Sequence, residues 1–268
     1  MINTVYRLVA PRRFEVAFED INLFGENAIV RPTYLSICNA DMRYYLGTRD
    51  AKVLAEKLPM ALIHEGVGKV YLDPTGTFKT GDKVVMVPNA PVEKDEYIAE
   101  NYLRSSKFCG SSMDGFLQEF VEISPKRLVK LPDNIDMTVA AFTEIVSVSV
   151  HAISRFDKIA HARRDTISVW GDGNLGYITS LFLKYHFPKS KIVVFGTSSD
   201  KLADFTFADE THLVNEVPDG FTTDHAFECV GGNGSPIAIE QIIGLIKPEG
   251  TISILGVSEY PVPINTRM

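Results

Sequence analysis

The stretch Thr166-Ile167-Ser168-Val169-Trp170-Gly171-Asp172-Gly173-Asn174-Leu175-Gly176 decides the fold of the second half of the chain. It joins an apolar strand to a glycine-rich turn, which opens the helical run Leu175–Tyr185. In this context Gly171 permits the tight turn, Gly173 lets a diphosphate approach the backbone, and Gly176 lets the helix pack on the strand. An ordinary glycine-rich turn is the alternative. The sequence predicts a dinucleotide-binding turn whose diphosphate contacts lie at Gly171, Gly173, Asn174, Leu175 and Gly176.

Strands and helices alternate on both sides of this turn. Thr166–Trp170 is followed by predicted strands at Lys191–Phe195, His225–Cys229 and Thr251–Leu255. A predicted helix opens at Ser235-Pro236 and ends before Pro248. This alternation indicates an α/β fold with a doubly wound parallel sheet.

The end of the second strand bears on the choice of nicotinamide cofactor. Sites for NAD usually place an acidic residue at this strand end, to bind the ribose 2′-hydroxyl. Here Phe195-Gly196 leads into hydroxyl side chains and a lysine, which suit a 2′-phosphate. The sequence therefore predicts NADPH, bound by Thr197, Ser198, Ser199 and Lys201. The alternative is that Asp200 supplies the acid one turn later.

The first half of the chain has a different pattern, with short β-rich segments bounded by Gly, Pro or Asp. The acidic segment Glu93–Glu100 is either a helix or a solvated excursion. We expect a β-rich domain over residues 1–145 and a nucleotide-binding domain over residues 146–268, with a helix near Val146–His161 between them. The predicted strands of the first half are Ala28–Arg31, Gly66–Leu72, Lys83–Val87 and Phe116–Ile123.

Three separate fragments of the sequence offer ligands for a metal ion. Cys38 supplies a thiolate, and the pair His64-Glu65 supplies an imidazole and a carboxylate, all suitable for Zn²⁺. Glu144 lies between apolar residues, and a buried carboxylate needs a partner such as a metal. Asp41 suits a role in orienting His64 through its other ring nitrogen. The sequence predicts one catalytic zinc, with Glu65 and Glu144 left as alternative carboxylate ligands.

These motifs, in this order, resemble the zinc-containing medium-chain alcohol and polyol dehydrogenases. The resemblance rests on the cysteine motif Ser36–Asp41, on His64-Glu65-Gly66-Val67-Gly68, on Asp114–Phe120, on Glu144 and on Gly171–Gly176. It implies a GroES-like catalytic domain joined to a Rossmann domain. Glu144 with Val150-His151-Ala152 is most similar to the polyol branch of the family.

Within that family, the chain most resembles the ribulose-5-phosphate reductases, which make ribitol 5-phosphate for bacterial wall teichoic acid or capsule. Long runs such as Val84–Asn89, Trp170–Thr179 and Ala226–Gly232 carry this resemblance. It implies NADPH-dependent reduction of D-ribulose 5-phosphate, with Cys38, His64, Glu65 and Asp41 as the catalytic group. It also implies a cytoplasmic homodimer and raises a cytidylyltransferase partner as a possibility. Candidate substrate-binding residues are Arg43, Tyr44 and Arg49, with Arg104 and Lys107 as further cations for the phosphate.

The chain departs from the wider family in three places. Only Cys109 lies where other members carry a four-cysteine lobe, so a structural zinc is not expected. Ala40 occupies the position of a proton-relaying Ser or Thr, so water, Glu65 or another group must relay the proton. The chain ends at Met268, which predicts that the last strand or strands, a helix and a return segment are missing.

Composition fits a globular enzyme and excludes several other classes. Apolar residues make up 45% of the chain, and the net charge of −7 argues against a nucleic-acid or anionic-membrane partner. Three scattered cysteines indicate free thiols rather than a disulfide framework. Three other functions stay open: an NAD(H)-dependent polyol dehydrogenase, a non-catalytic NADP-binding assembly subunit, and a zinc-free quinone reductase.

Overall fold

The computed structural model describes residues 1–265, and the chain divides into two compact units, Met1–Glu144 and the part from Ile145 onward. The strands of the first unit are β1 (Ile2–Ala10), β2 (Arg13–Asp20), β3 (Ala28–Ser36), β4 (Met60–Ala61), β5 (Glu65–Leu72), β6 (Lys83–Met86), β7 (Asn89–Ala90), β8 (Lys107–Phe108), β9 (Val121–Ile123) and β10 (Leu128–Lys130). Its helices are α1 (Asn39–Leu46), α2 (Ala51–Lys57) and α3 (Met137–Ala140), with 3₁₀ turns at Glu100–Tyr102 and Pro125–Arg127. Helix α4 (Thr143–Ile159) starts at the end of this unit.

Antiparallel strands build the first unit. A five-stranded sheet has the order β10-β6-β5-β3-β9, and a three-stranded sheet has the order β2-β1-β4. The five-stranded sheet packs its buried face around Val30, Val84, Met86 and Phe116. The close pairing of β3 with β5 depends on Gly68, where a Cβ atom would lie 2.5 Å from the carbonyl oxygen of Arg31. This sheet places the start of α1 and the start of β5 side by side, since Ser36 pairs with Glu65.

One prediction for the first half needs correction. The predicted strand Phe116–Ile123 is too long, because only Val121–Ile123 is a strand. Its first part instead follows β1 irregularly, with the N–H of Tyr6 bonded to the oxygen of Leu117. Of the two alternatives for the acidic segment Glu93–Glu100, the solvated excursion is the one observed, because the segment forms no α-helix and is exposed up to the half-buried Glu100.

The second unit is a parallel sheet with helical crossovers, as predicted. Its strands are β11 (Thr166–Trp170), β12 (Lys191–Gly196), β13 (Glu210–Leu213), β14 (His225–Glu228) and β15 (Ile252–Ile254), in the order β13-β12-β11-β14-β15. Its helices are α5 (Asn174–His186), α6 (Ser199–Leu202) and α7 (Ser235–Leu245), with a 3₁₀ turn at Gly232–Gly234. The central strands are buried on both faces, which their continuous apolar sequence requires. The α/β fold class is confirmed, and every helix within residues 1–265 is too short or too polar to cross a membrane.

Candidate active site

Cys38 lies where β3 gives way to α1. It is the N-cap of α1, and its Sγ accepts a hydrogen bond from the N–H of Ala40 at 3.2 Å. In return, Oδ2 of Asp41 accepts from the N–H of Cys38 at 3.1 Å, which completes a capping box. The thiol is therefore held at a helix start rather than on a mobile loop.

His64 reaches the same place through an unusual backbone conformation. The preceding residue, Ile63, has a φ of 72°, a left-handed conformation that β-branched residues rarely adopt. Oδ1 of Asp41 holds it by accepting from the N–H of Ile63 at 2.9 Å, and the oxygen of Ile63 accepts from the N–H of Phe116 at 2.7 Å. The ring of His64 lies beside the ring of Phe108 at 5.3 Å.

Asp41 thus connects the segments that carry Cys38 and His64, but not through the predicted contact with the other ring nitrogen of His64. Its Oδ1 lies 4.0 Å from Nδ1 of His64, beyond hydrogen-bond distance. The carboxylate instead binds the backbone beside each ligand, at Cys38 and at Ile63. The orienting role of Asp41 stays a prediction, and these backbone contacts give it a physical basis.

Cys38, His64 and Glu65 form a group that could hold a metal ion. One ligand atom from each lies within 4.8 Å of the others, and Sγ of Cys38 is 3.5 Å from Nε2 of His64. Tetrahedral zinc with usual bond lengths separates a sulfur and a nitrogen ligand by about 3.6 Å. The donor types and the spacing therefore fit zinc.

The electrostatics of this group also fit a cation. Burial raises the pKa of the Cys38 thiol to about 12, and the charge of Asp41 adds to this. The pKa of Glu65 is raised, chiefly by burial and also by Asp41, against hydrogen bonds from Ser36 and Cys38. Burial lowers the pKa of His64, with Asp41 opposing and Arg49 adding to the effect. Clustered acids at this site would be stabilised in their ionised forms by a positive ion.

Glu144, the other predicted carboxylate ligand, lies outside this group of three. It is still near, because burial, Glu65 and Asp41 together raise its pKa to about 7. Glu144 as a metal ligand remains a prediction.

The three predicted substrate residues lie on or just after α1. The guanidinium of Arg49 lies over the ring of Tyr44, 4.2 Å from its centroid, and its charge acts on His64. Tyr44 is 2% exposed and packs in a cluster with Leu8 and Met60. Its ring therefore supports Arg49, and its hydrogen bond to a sugar chain stays a prediction. Arg43 is half-buried in the last turn of α1, whereas Arg104 and Lys107 are exposed.

The glycine-rich turn has the geometry that its sequence predicts. Gly171 has a φ of 132°, and a Cβ atom there would lie 2.9 Å from the backbone of Cys229. A Cβ atom on Gly176 would lie 1.9 Å from the oxygen of Gly171. Gly173, by contrast, faces open space and caps α5 without a side chain. Free N–H groups at Asn174 and Leu175 are therefore available to an anion.

Sequence reasoning missed Asp172, which follows β11 and contacts the end of β12, although β12 itself ends without an acid, as expected. Its Oδ2 accepts from the N–H of Thr197 at 2.7 Å and from the N–H of Ser198 at 2.8 Å. Gly196 allows this approach, because a Cβ atom there would lie 2.6 Å from Cβ of Asp172. Burial raises the pKa of Asp172, but these hydrogen bonds and Lys201 outweigh it and lower the value. The contact depends on the pairing of β11 with β12, whose ends lie side by side, and local sequence around Asp172 carries no signal of it.

The remaining predicted cofactor residues cluster at this strand end. Ser198 caps α6 by accepting from the N–H of Lys201 at 3.4 Å. Thr197, Ser199 and Lys201 are exposed there, and so is Asp200, the alternative acid. Their contacts with a cofactor remain predictions.

Comparison with known proteins assigns the chain to a family. A family model for the alcohol dehydrogenase GroES-like domain matches residues 25–133. The ribulose-5-phosphate reductase of Bacillus spizizenii is 57% identical over 268 residues, covering 100% of this chain and 79% of the relative. That of Streptococcus pneumoniae is 46% identical over 269 residues, covering 100% and 78%. The crystal structure of S. aureus TarJ in complex with NADPH has 50% identity and a TM-score of 0.85, covering 100% and 77%. The chain therefore belongs to the ribulose-5-phosphate reductase family, whose N-terminal part is an alcohol dehydrogenase GroES-like domain.

Proposed function

We propose that this chain reduces D-ribulose 5-phosphate to D-ribitol 5-phosphate with NADPH and zinc, as a supplier of wall teichoic acid or capsule precursors. The group of Cys38, His64 and Glu65 carries the proposal, because its donors and spacing suit zinc. Relatives named ribulose-5-phosphate reductase, at 46–57% identity, support the substrate. The NADPH complex of TarJ, at 50% identity, supports the cofactor.

Each residue of the site has a distinct task in this proposal. When bound, zinc supplies Lewis-acid polarisation of a carbonyl oxygen, and the nicotinamide supplies the hydride. Cys38, His64 and Glu65 would hold the ion, and Asp41 fixes the backbone on which two of them lie. Arg49, already oriented by the ring of Tyr44, binds the substrate phosphate as a bidentate donor.

One observation favours a second candidate, an NAD(H)-dependent polyol dehydrogenase. The carboxylate of Asp172, in the turn after β11, lies beside the end of β12, the strand on which NAD enzymes carry an acid for the ribose hydroxyl. A more distant relative, at 28% identity, is named D-xylulose reductase, from Saccharomyces cerevisiae. The homodimer, the cytoplasmic location and the cytidylyltransferase partner rest on the family resemblance alone.

Steady-state kinetics test the proposal. We expect the rate of NADPH oxidation to be higher with D-ribulose 5-phosphate than with D-ribulose. With D-ribulose 5-phosphate as substrate, the rate should be higher with NADPH than with NADH. Cys38→Ala should abolish both zinc content and turnover, whereas Cys109→Ala, at a buried thiol outside the ligand group, should retain both. Arg49→Gln should raise the KM for D-ribulose 5-phosphate and leave the KM for D-ribulose unchanged. Preference for NADH with an unphosphorylated polyol would favour the second candidate, and activity in zinc-free protein would contradict both.

A further inference from the structure

The run Asp114–Leu117 binds the segment Ala61–Ile63, which leads directly into His64. Oδ1 of Asp114 accepts from the N–H of Ala61 at 2.7 Å. The next three N–H groups of the run donate to the three carbonyl oxygens of the segment, at distances between 2.7 and 3.1 Å. The backbone that carries His64 is therefore held at each of the three residues before it.

Asp114 is itself fixed by Arg7 on β1. Nε of Arg7 donates to Oδ1 of Asp114 at 3.3 Å and to Oδ2 at 3.1 Å, and Nη2 of Arg7 also donates to Oδ2. The two side chains are 25% and 24% exposed, so the pair is largely shielded from water. A guanidinium that contacts both oxygens of a carboxylate fixes the direction of that carboxylate as well as its distance. Because Arg7 pairs with Ala61 across β1 and β4, it holds the carboxylate within reach of the N–H of Ala61.

Two carboxylates thus hold the segment before His64, one at each end. Asp114 binds the N–H of Ala61 at the start of the segment, at 2.7 Å. Asp41 binds the N–H of Ile63 at the end of the segment, at 2.9 Å, and Ile63 is the residue in the left-handed conformation. The contact of Asp114 therefore complements that of Asp41 at the opposite end.

Close packing leaves this segment little room to shift. A Cβ atom on Gly115 would lie 2.3 Å from the oxygen of Ile63, so the two backbones touch. Nε2 of His64 lies 3.5 Å from Sγ of Cys38, close to the separation of about 3.6 Å that tetrahedral zinc requires of such ligands. Metal and catalytic sites need their side chains held within about 0.5 Å of the productive geometry. A displaced segment would therefore disturb the spacing of the ligands.

We propose that Asp114 is a positioning residue for the metal site and acts on His64 through the backbone of Ala61–Ile63. This inference rests on the zinc site of the proposed function. Asp114 lies outside the group of candidate metal ligands. Asp41 and Arg49 supply the charges that shift the pKa of His64, so the effect of Asp114 on His64 is one of geometry rather than of charge.

Asp82 provides a matched control for a role in folding alone. It lies in the same unit and has the same two kinds of partner, the N–H of Lys79 at 2.9 Å and the ammonium group of Lys130 at 2.7 Å. These partners belong to the turn between β5 and β6 and to β10, and neither precedes a candidate metal ligand. Loss of either carboxylate should lower the thermal unfolding midpoint, whereas only loss of Asp114 should change the binding of the ion.

Cobalt(II) in place of zinc gives a readout of the site that does not depend on turnover. Cobalt(II) accepts the same tetrahedral ligands, and its visible absorption depends on their arrangement. We expect Asp114→Ala to lower the affinity for cobalt(II) about tenfold, as loss of support around a ligand does, and to change the visible spectrum. Asp114→Asn should recover most of the affinity, because its amide oxygen still accepts from the N–H of Ala61. Asp82→Ala should keep the affinity and the spectrum of the wild type.

The outcomes separate this inference from the proposed function. Wild-type affinity and spectrum in Asp114→Ala, or an equal loss in Asp82→Ala, would overturn the positioning role and leave the zinc site standing. A wild type that binds neither cobalt(II) nor zinc would contradict the proposed function and this inference together.

A milder variant supplies the same test in case Asp114→Ala does not fold. Arg7→Lys keeps the positive charge but cannot hold both oxygens of Asp114, and it should lower the affinity for cobalt(II) about threefold. Wild-type affinity in Arg7→Lys would then overturn the proposal.

Discussion

A single carboxylate, that of Asp41, binds the backbone at both segments that carry the predicted ligands. It accepts from the N–H of Cys38 and from the N–H of Ile63, which hold the thiol and the imidazole 3.5 Å apart. The left-handed conformation of Ile63 costs free energy on the order of 1–3 kcal/mol, and Asp41 is one of the contacts that maintain it. The geometry of the site therefore depends on a residue that need not touch the metal.

We predict that Asp41→Asn weakens zinc binding by about 10- to 100-fold, the usual cost of losing support around a ligand. An amide nitrogen cannot accept the bonds that one carboxylate oxygen now accepts. Competition with a zinc chelator measures the affinity. Asp50→Asn is the matched control, because Asp50 also accepts from a backbone N–H at the start of a helix, that of Lys52 at 2.8 Å in α2. Equal zinc affinity in both variants would remove Asp41 from the support of the site.

Asp172 has a comparable role at the other predicted site, where it holds the backbone of Thr197 and Ser198. Asp172→Ala should raise the KM for NADPH about tenfold, because hydrogen bonds to a charged group contribute about 1.5–3 kcal/mol each. The kcat at saturating NADPH should change little. Asp172→Asn should restore most of the loss, since its amide oxygen still accepts. The exposed Asp200 serves as control: a similar KM change in Asp200→Ala would indicate a general effect of charge.

At the scale of elements, two glycines of the β11–α5 turn have different roles. Gly176 is needed for folding, and Gly173 is proposed to serve ligand binding. A Cβ atom at Gly173 meets no neighbour, whereas a Cβ atom at Gly176 would lie 1.9 Å from the oxygen of Gly171. The two positions therefore serve different purposes, although both belong to one sequence motif. Only Gly176 is required by the packing of the helix on the strand.

We predict that Gly173→Ala keeps the thermal unfolding midpoint within about 2 °C of the wild type and weakens NADPH binding at least tenfold. Gly176→Ala should lower the free energy of unfolding by about 1–3 kcal/mol, as overpacking does. Thermal unfolding and fluorescence titration with NADPH measure the two effects. Unchanged NADPH affinity in Gly173→Ala would contradict the proposed diphosphate site.

The strands β11 and β14 are joined by a buried acid, Asp224. Its side chain is fully buried, and it accepts from the N–H of Thr166 at 3.0 Å, from Arg163 at 2.7 Å and from Lys247 at 3.0 Å. Burial raises the pKa of Asp224, but these hydrogen bonds and the charge of Lys247 outweigh it and lower the value below 3.8. The folded state thus binds fewer protons than the unfolded state at acidic pH.

It follows that Asp224 stabilises the fold above about pH 4, and that this stabilisation is lost as the pH falls through the folded-state pKa. Asp224→Asn should lower the free energy of unfolding by about 2 kcal/mol at pH 7, with a smaller difference near pH 3. Urea denaturation at both pH values measures this, with the exposed Asp219→Asn as control. A difference that is independent of pH would show that shape, not charge, is what Asp224 contributes.

For the whole molecule, sequence reasoning was most successful where a motif and its periodicity agreed. Strand Thr166–Trp170 was predicted to the residue, and α5 extends the predicted helix by one residue at each end. The irregular run Phe116–Phe120 was mistaken for strand because its apolar and aromatic residues fit a strand pattern equally well. Its actual path is set by Gly115, whose Cβ atom would lie 2.3 Å from the oxygen of Ile63, a long-range contact.

The candidate site shows the same division between local and long-range information. Residue chemistry was enough to name Cys38, His64 and a carboxylate, with Glu65 and Glu144 left as alternatives. The left-handed Ile63 could not be foreseen, because its type disfavours that conformation and tertiary contacts impose it. The role of Asp172 could not be predicted for a related reason, because its partners Thr197 and Ser198 lie at the end of a neighbouring strand.

X-ray absorption at the zinc edge of the purified protein tests the central claim most directly, because it reports the ligands of the ion. We predict one zinc per chain, with a single sulfur ligand at about 2.3 Å and nitrogen or oxygen ligands at about 2.0–2.2 Å. The sulfur contribution should disappear, together with most of the zinc, in Cys38→Ala. A chain without zinc, or zinc bound only by nitrogen and oxygen, would contradict the convergence of Cys38, His64 and Glu65 on one ion.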